Sequence, residues 1–245
     1  MPLVLLVLAD VTLPAPLFEH ALHFALAALS RPGAAARAQI LAALSGERRT
    51  AILGGIRHRL RSFGAALGLA VDDSGGAEAE GLSEYEQALR GALLLLRLIQ
   101  ELCAGPDEDI QLALCGGGEH DCIDVAALLL LAWEGRLDAD LLPLARHAAL
   151  AVAALCEGPC DANQRALLAS PAPASAARLL AKPFPYDVYP ASHVRSLRAA
   201  LAALLRCALE GSARSPRAAA LWPLLRPRLL HERLVDVHTE WQRLD

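Results

Sequence analysis

Four groups of residues in this sequence could carry chemistry by type and spacing. Cys156 and Cys160 form a C-x-x-x-C pair, with His147 and Asp161 nearby, and Cys115, His120 and Cys122 form a second Cys/His group. Zinc sites usually draw on two such pairs, but the spacing inside neither group matches a common zinc pattern. Gly158-Pro159 between the two cysteines gives their side chains no defined direction toward each other, which a disulfide would need. A nucleophilic site would require a Cys or Ser beside a base held by a third group, and no G-x-S-x-G turn occurs. The glycines Gly116-Gly117-Gly118 could cradle phosphate, yet no Lys-Ser or Lys-Thr follows and no strand precedes them. Arg57, His58, Arg59 and Arg61 make the only dense basic cluster. It reads either as an anion contact or, preferably, as a solvated helix face, with Ile56 and Leu60 on the other side. The sequence therefore predicts no catalytic residue, cofactor or metal ligand, and an interaction or mechanical role over an enzyme.

The elements that must position these residues are revealed by a repeat. Residues 148–170 read as an apolar helix, a Gly-Pro break and a second helix opening on acid, and residues 93–115 follow the same plan. Without a gap, Leu102 falls on Leu155, Cys103 on Cys156, Gly105 on Gly158, Pro106 on Pro159 and Gln111 on Gln164. Glycine suits the left-handed residue that ends a helix, and proline suits the first turn of the next. Asp107, Glu108 and Asp109 in one copy and Asp161 in the other place negative charge where the helix dipole favours it. Each copy is a helical hairpin with a chemically specified turn, and the two are expected to stack as neighbours with Leu102, Cys103, Leu155 and Cys156 in one core.

Composition narrows the function classes. The 245 residues are 55% hydrophobic, mostly Ala and Leu, and only 4% aromatic, which favours close helix packing over aromatic anchors. A formal charge of −4 argues against a nucleic-acid binder. The six cysteines lack the regular spacing of a secreted disulfide framework and are expected as reduced thiols. The N-terminal apolar run closes at Asp10 without a basic n-region, and no run approaches the roughly 20 apolar residues of a membrane span. The reading is a cytoplasmic chain whose partners are proteins.

Along the chain, residues 3–9 look like the end of a helix. Leu17, His20, Ala21, Phe24, Ala25 and Ala28 keep helical spacing up to Ser30, residues 34–44 give a short helix, and residues 47–67 a longer one weakened by Gly54-Gly55. Residues 1–70 thus form N-terminal hairpins. Residues 71–82 are a flexible acidic loop, and residues 83–245 form a C-terminal half carrying both Gly-Pro turns. In that half, Ser83 starts a helix with a capping box and a buried stripe at Leu89, Leu93, Leu96, Ile99 and Cys103. Asp121 caps a helix over 122–134, and Asp138 caps the helix into Cys156. Prolines beyond Ser170 confine structure to a short helix over 175–182, before strong helices over 194–210 and 229–244. The fold expected is all-α, an armadillo-like α-solenoid of antiparallel helical hairpins.

The repeated turn also resembles a known family. L-C-E-G-P-C-D-A-N-Q, residues 155–164, is similar to a signature of the intracellular calcium-release channels, the inositol trisphosphate and ryanodine receptors. There it belongs to the homology-associated region of the central cytosolic solenoid. L-I-Q-E-L-C-A-G-P-D-E-D-I-Q, residues 98–111, resembles that region's earlier turn, and L-V-D-V-H-T-E-W near the C-terminus resembles its closing helix. The motif positions are Cys103, Gly105, Pro106, Gln111, Cys156, Gly158, Pro159, Cys160, Asn163 and Gln164. The resemblance implies a regulatory and coupling solenoid whose partners include neighbouring domains of a tetrameric channel at the cytosolic face of the endoplasmic reticulum. Neither pore nor ligand-binding core is present in this chain, and a free-standing armadillo-like scaffold is the alternative. In the receptors the activating calcium site takes one glutamate from each of the two motif helices. Those positions are Ala104 and Ala154 here, so the resemblance also implies that this calcium site is lost, with Glu157 the remaining candidate donor.

Overall fold

The computed structural model describes residues 7–30, 38–39, 42–44, 46–47, 49–67, 82–104, 108–115, 137–158, 160–210, 219, 221–225, 228, 231 and 235. Eight helices account for most of them: α1 (Ala15–Leu29), α2 (Arg49–Ala66), α3 (Leu82–Leu102), α4 (Glu108–Cys115), α5 (Leu142–Cys156), α6 (Asp161–Ala169), α7 (Ala172–Ala181) and α8 (Ala191–Leu209). No strand occurs among the described residues.

The helices form two rows. In one, α1 packs on α3, α3 on α5 and α5 on α8; in the other, α4, α6 and α7 follow one another, with α2 against α3. α3/α4 and α5/α6 each place one helix in either row as stacked hairpins, whereas α6 and α7, consecutive in the chain, share a row. The molecule is an all-α solenoid of antiparallel helical hairpins. Leu102, Cys103, Leu155 and Cys156 belong to a single hydrophobic core that runs from Leu8 to Leu221. That core includes residues on both sides of 71–82, a segment that lies outside the described residues apart from Leu82.

α5 shows why so much alanine is needed. It touches α3, α4, α6 and α8, and its buried residues include Ala145, Ala148, Ala149, Ala151 and Ala153 around Leu144, Val152 and Leu155. A helix enclosed on several sides cannot be amphipathic, and methyl side chains let its neighbours approach closely. Burial on α3 is correspondingly wider than a single stripe. Leu89 and Leu93 are only half-buried, whereas Leu94, Leu95, Leu98 and Leu102 are enclosed together with Leu96, Ile99 and Cys103.

The N-terminal packing follows a different rule. Phe18 of α1 meets Phe63 of α2 with ring centroids 6.2 Å apart, and Gly91 of α3 makes room for Phe63, whose ring would lie 2.5 Å from an added Cβ. The expected weak point at Gly55 is a close contact: a Cβ there would collide with the main chain of Leu8 and Ala9. Helical glycine costs about 1 kcal/mol relative to alanine, so this approach is what the residue supplies in return.

Helix starts differ from expectation in several places. α3 begins at Leu82, so Ser83 lies inside the helix and does not cap it, and α5 begins at Leu142 after Leu141, so Asp138 is not its cap. α7 begins at Ala172, three residues before the predicted Ser175, because Pro173 falls in the first turn, where a missing N–H is harmless. Ser175 is then fully buried inside the helix. α8 begins at Ala191 after Pro190, ahead of the predicted start at Val194. Asp138 does act near the start of α5, accepting the Leu141 N–H at 2.9 Å.

Candidate functional site

The most elaborate polar construction in the described residues surrounds the second Gly-Pro turn. α5 ends at Cys156; Glu157 is extended, and Gly158 takes φ 81°, the left-handed conformation. The end of an α-helix leaves its last carbonyls without intrahelical donors, and here Leu155 and Cys156 carry that end into the core.

Three buried amide side chains supply the missing donors. Gln111 Nε2 of α4 donates to the carbonyls of Ala154 at 2.8 Å and Glu157 at 2.9 Å. Asn163 Nδ2 of α6 donates to Leu155 O at 2.7 Å and to Gln111 O at 3.2 Å. Gln164 Nε2 donates to Cys156 O at 3.1 Å and to Gly158 O at 2.6 Å. Five consecutive carbonyls, 154 to 158, are thereby satisfied, and each amide NH2 uses both hydrogens. Gln111, Asn163 and Gln164 are 1%, 3% and 1% exposed, so the donors themselves are shut off from solvent. Each contributes about 1 kcal/mol net, and an orphaned carbonyl costs more than that.

The next hairpin reaches the same turn. Glu210, at the end of α8, accepts the Gly158 N–H at 2.8 Å through Oε2 and holds Arg206 Nη1 at 2.9 Å through Oε1. Arg206 Nη2 lies 3.8 Å from Glu157 Oε1. Arg206 and Glu157 are well exposed and Glu210 partly so, and the ion pairs contribute little beyond orientation. The turn after α5 is thus held by α4, α6 and α8 together.

The cysteines here are structural. Cys103, Cys115, Cys156, Cys160 and Cys207 are buried thiols outside any disulfide, Cys156 and Cys160 remaining unbridged. Cys156 Sγ donates to Asn163 O at 3.6 Å. Burial pushes the Cys160 thiol above its ordinary pKa and the Cys207 thiol up to about 11. Thiols so placed stay protonated and are poor nucleophiles. Among the described residues, no group of three or more His, Cys, Asp or Glu side chains is placed to hold a metal ion. The group His120 and Cys122, the glycines 116–118, and the motif residues Gly105, Pro106 and Pro159 lie outside the described residues.

His147, considered beside Cys156 as a metal partner, faces α3 instead. Gln100 Nε2 donates to His147 O at 3.0 Å and stands 3.1 Å from His147 Nδ1, joining α3 to α5. Burial, followed by the charges of Arg146 and Arg97, holds the imidazole down to about 4, so it is neutral.

The basic cluster requires a correction. Arg57 is half-buried, His58 and Arg61 are exposed, but Arg59 is 9% exposed and not part of a solvated face. Its guanidinium lies 4.5 Å from the Phe18 ring centroid and donates to Leu13 O at 2.7 Å and Asp10 O at 3.1 Å. A planar cation with a long apolar stem can be buried when a ring and carbonyls meet it, which charge patterning alone does not reveal.

Of the two positions that the resemblance would assign to calcium, Ala104 is exposed and Ala154 is half-buried with its carbonyl taken by Gln111. Glu157 faces Arg206. Two methyls, one engaged carbonyl and one carboxylate paired with arginine do not fit a calcium ion, which takes about six to eight oxygen ligands.

Sequence reasoning selected Gln111, Asn163 and Gln164 without their partners, and it missed Glu210, Arg206, Gln100 and the buried role of Arg59. The equal register of the two glutamines was the available signal. No helix of the described residues is long and apolar enough to cross a membrane. Comparison of the sequence with protein-family models gives no match, and comparison with curated proteins gives none either.

Proposed function

We propose that this chain is a coupling solenoid of the kind found in the homology-associated region of intracellular calcium-release channels, transmitting force and position between protein neighbours. The observation that carries this reading is the coincidence of two sets of residues. Gly158, Asn163, Gln164 and Gln111 are motif positions of the resemblance, and the same four build the buried turn. A turn fixed by α4, α6 and α8 makes three successive hairpins rigid with respect to one another, which suits a lever or spacer. Partners are proteins met through helix faces. Calcium does not bind at Ala104 and Ala154, so in this reading the chain keeps the architecture without the receptors' calcium site.

The armadillo-like scaffold without a channel is the second reading; the absence of a matching family model favours keeping it. The coding sequence after Asp245 separates the two. Pore helices in frame support the channel module, and a stop codon with no pore gene beside it favours the scaffold. The calcium part has its own test by titration calorimetry of the purified chain. No saturable uptake is expected, and stoichiometric binding at micromolar affinity, abolished by Glu157→Ala, would refute it.

A further inference from the structure

We draw no further inference here: the strongest candidate, the side-chain cluster of Arg198 on α8 with Lys182 and Phe184 just after α7, leaves Arg198 Nε and Nη1 without an acceptor, but both nitrogens are buried out of a ligand's reach and nothing else among the described residues points to an anion there.

Discussion

Gln111 and Gln164 occupy the same register in two copies of one hairpin, yet they do different work. Gln164 folds back on its own turn and donates to Cys156 O and Gly158 O. Gln111 leaves its own hairpin and donates to Ala154 O and Glu157 O of the next one. One residue closes a hairpin and the other joins two hairpins. A repeat in sequence can therefore encode both a unit and the bond between units, with the same side chain. Asn163 completes the link by donating to the main-chain oxygen of Gln111.

The comparison breaks most severely at Gln164. Gln164→Leu removes two donors and leaves Cys156 O buried without a partner and Gly158 O, in a half-buried residue, without its donor, at a cost of about 2–3 kcal/mol. For a chain of this length that corresponds to a melting temperature lower by roughly 4–12 °C, read by thermal circular dichroism. Gln111→Leu should cost less, about 1–2 kcal/mol, because the residue bearing one of its acceptors, Glu157, is exposed and its carbonyl can recruit water. Asn163 keeps its bond to position 111 in that variant, since the acceptor is main chain. Equal losses at the two glutamines would show that closing and joining are not separable functions.

Gly158→Val probes the turn without touching an amide. At φ 81° a β-branched residue meets backbone strain of about 1–2 kcal/mol, and the loss should appear as faster amide hydrogen exchange around residues 154–164. An unchanged melting temperature would mean that the turn adopts another geometry in solution.

Acid tests the joint between α3 and α5. His147 is held at about 4, below its ordinary value, mainly by burial against α3. The folded state thus binds fewer protons than the unfolded chain between that value and about 6.5. Stability is complete above pH ~6.5 and falls as the pH drops toward about 4, by roughly 1–2 kcal/mol after allowing for partial exposure. His147→Gln should remove this part of the acid sensitivity, because an amide oxygen can accept from Gln100 and does not titrate. Denaturation midpoints at pH 7 and pH 5 for both proteins measure it.

How much of this was legible beforehand depends on the distance over which each residue acts. Gly158 and its neighbours were readable because a helix-ending glycine and a following proline act within a few residues. Leu102 and Cys156 were placed in one core because a repeat of this length must stack. The partners of Gln111 were not readable: its carbonyls lie 43 and 46 positions away, and register alone suggested its own turn. Arg59 was misread for the same reason, since Phe18 and Leu13 meet it from a distant part of the chain. Pro173 misplaced a helix start because proline both breaks helices and opens them, and local sequence does not choose between these.

The smallest expected effect lies where a third hairpin touches the turn. Glu210 accepts the Gly158 N–H and holds Arg206, but its side chain is 24% exposed and that of Arg206 63% exposed. Water can solvate both partners when the contact is lost, so Glu210→Gln should cost less than about 1 kcal/mol. A glutamine Oε1 still accepts from Gly158, which isolates the charge. Added salt should therefore narrow the difference between the wild type and Glu210→Gln, as screening weakens the attraction to Arg206. Glu210→Ala removes the acceptor as well, and its additional loss should persist in salt. If Glu210→Ala instead matched Gln164→Leu, the bond from α8 would rank with the buried amides. The turn would then depend on the hairpin after it as much as on its own.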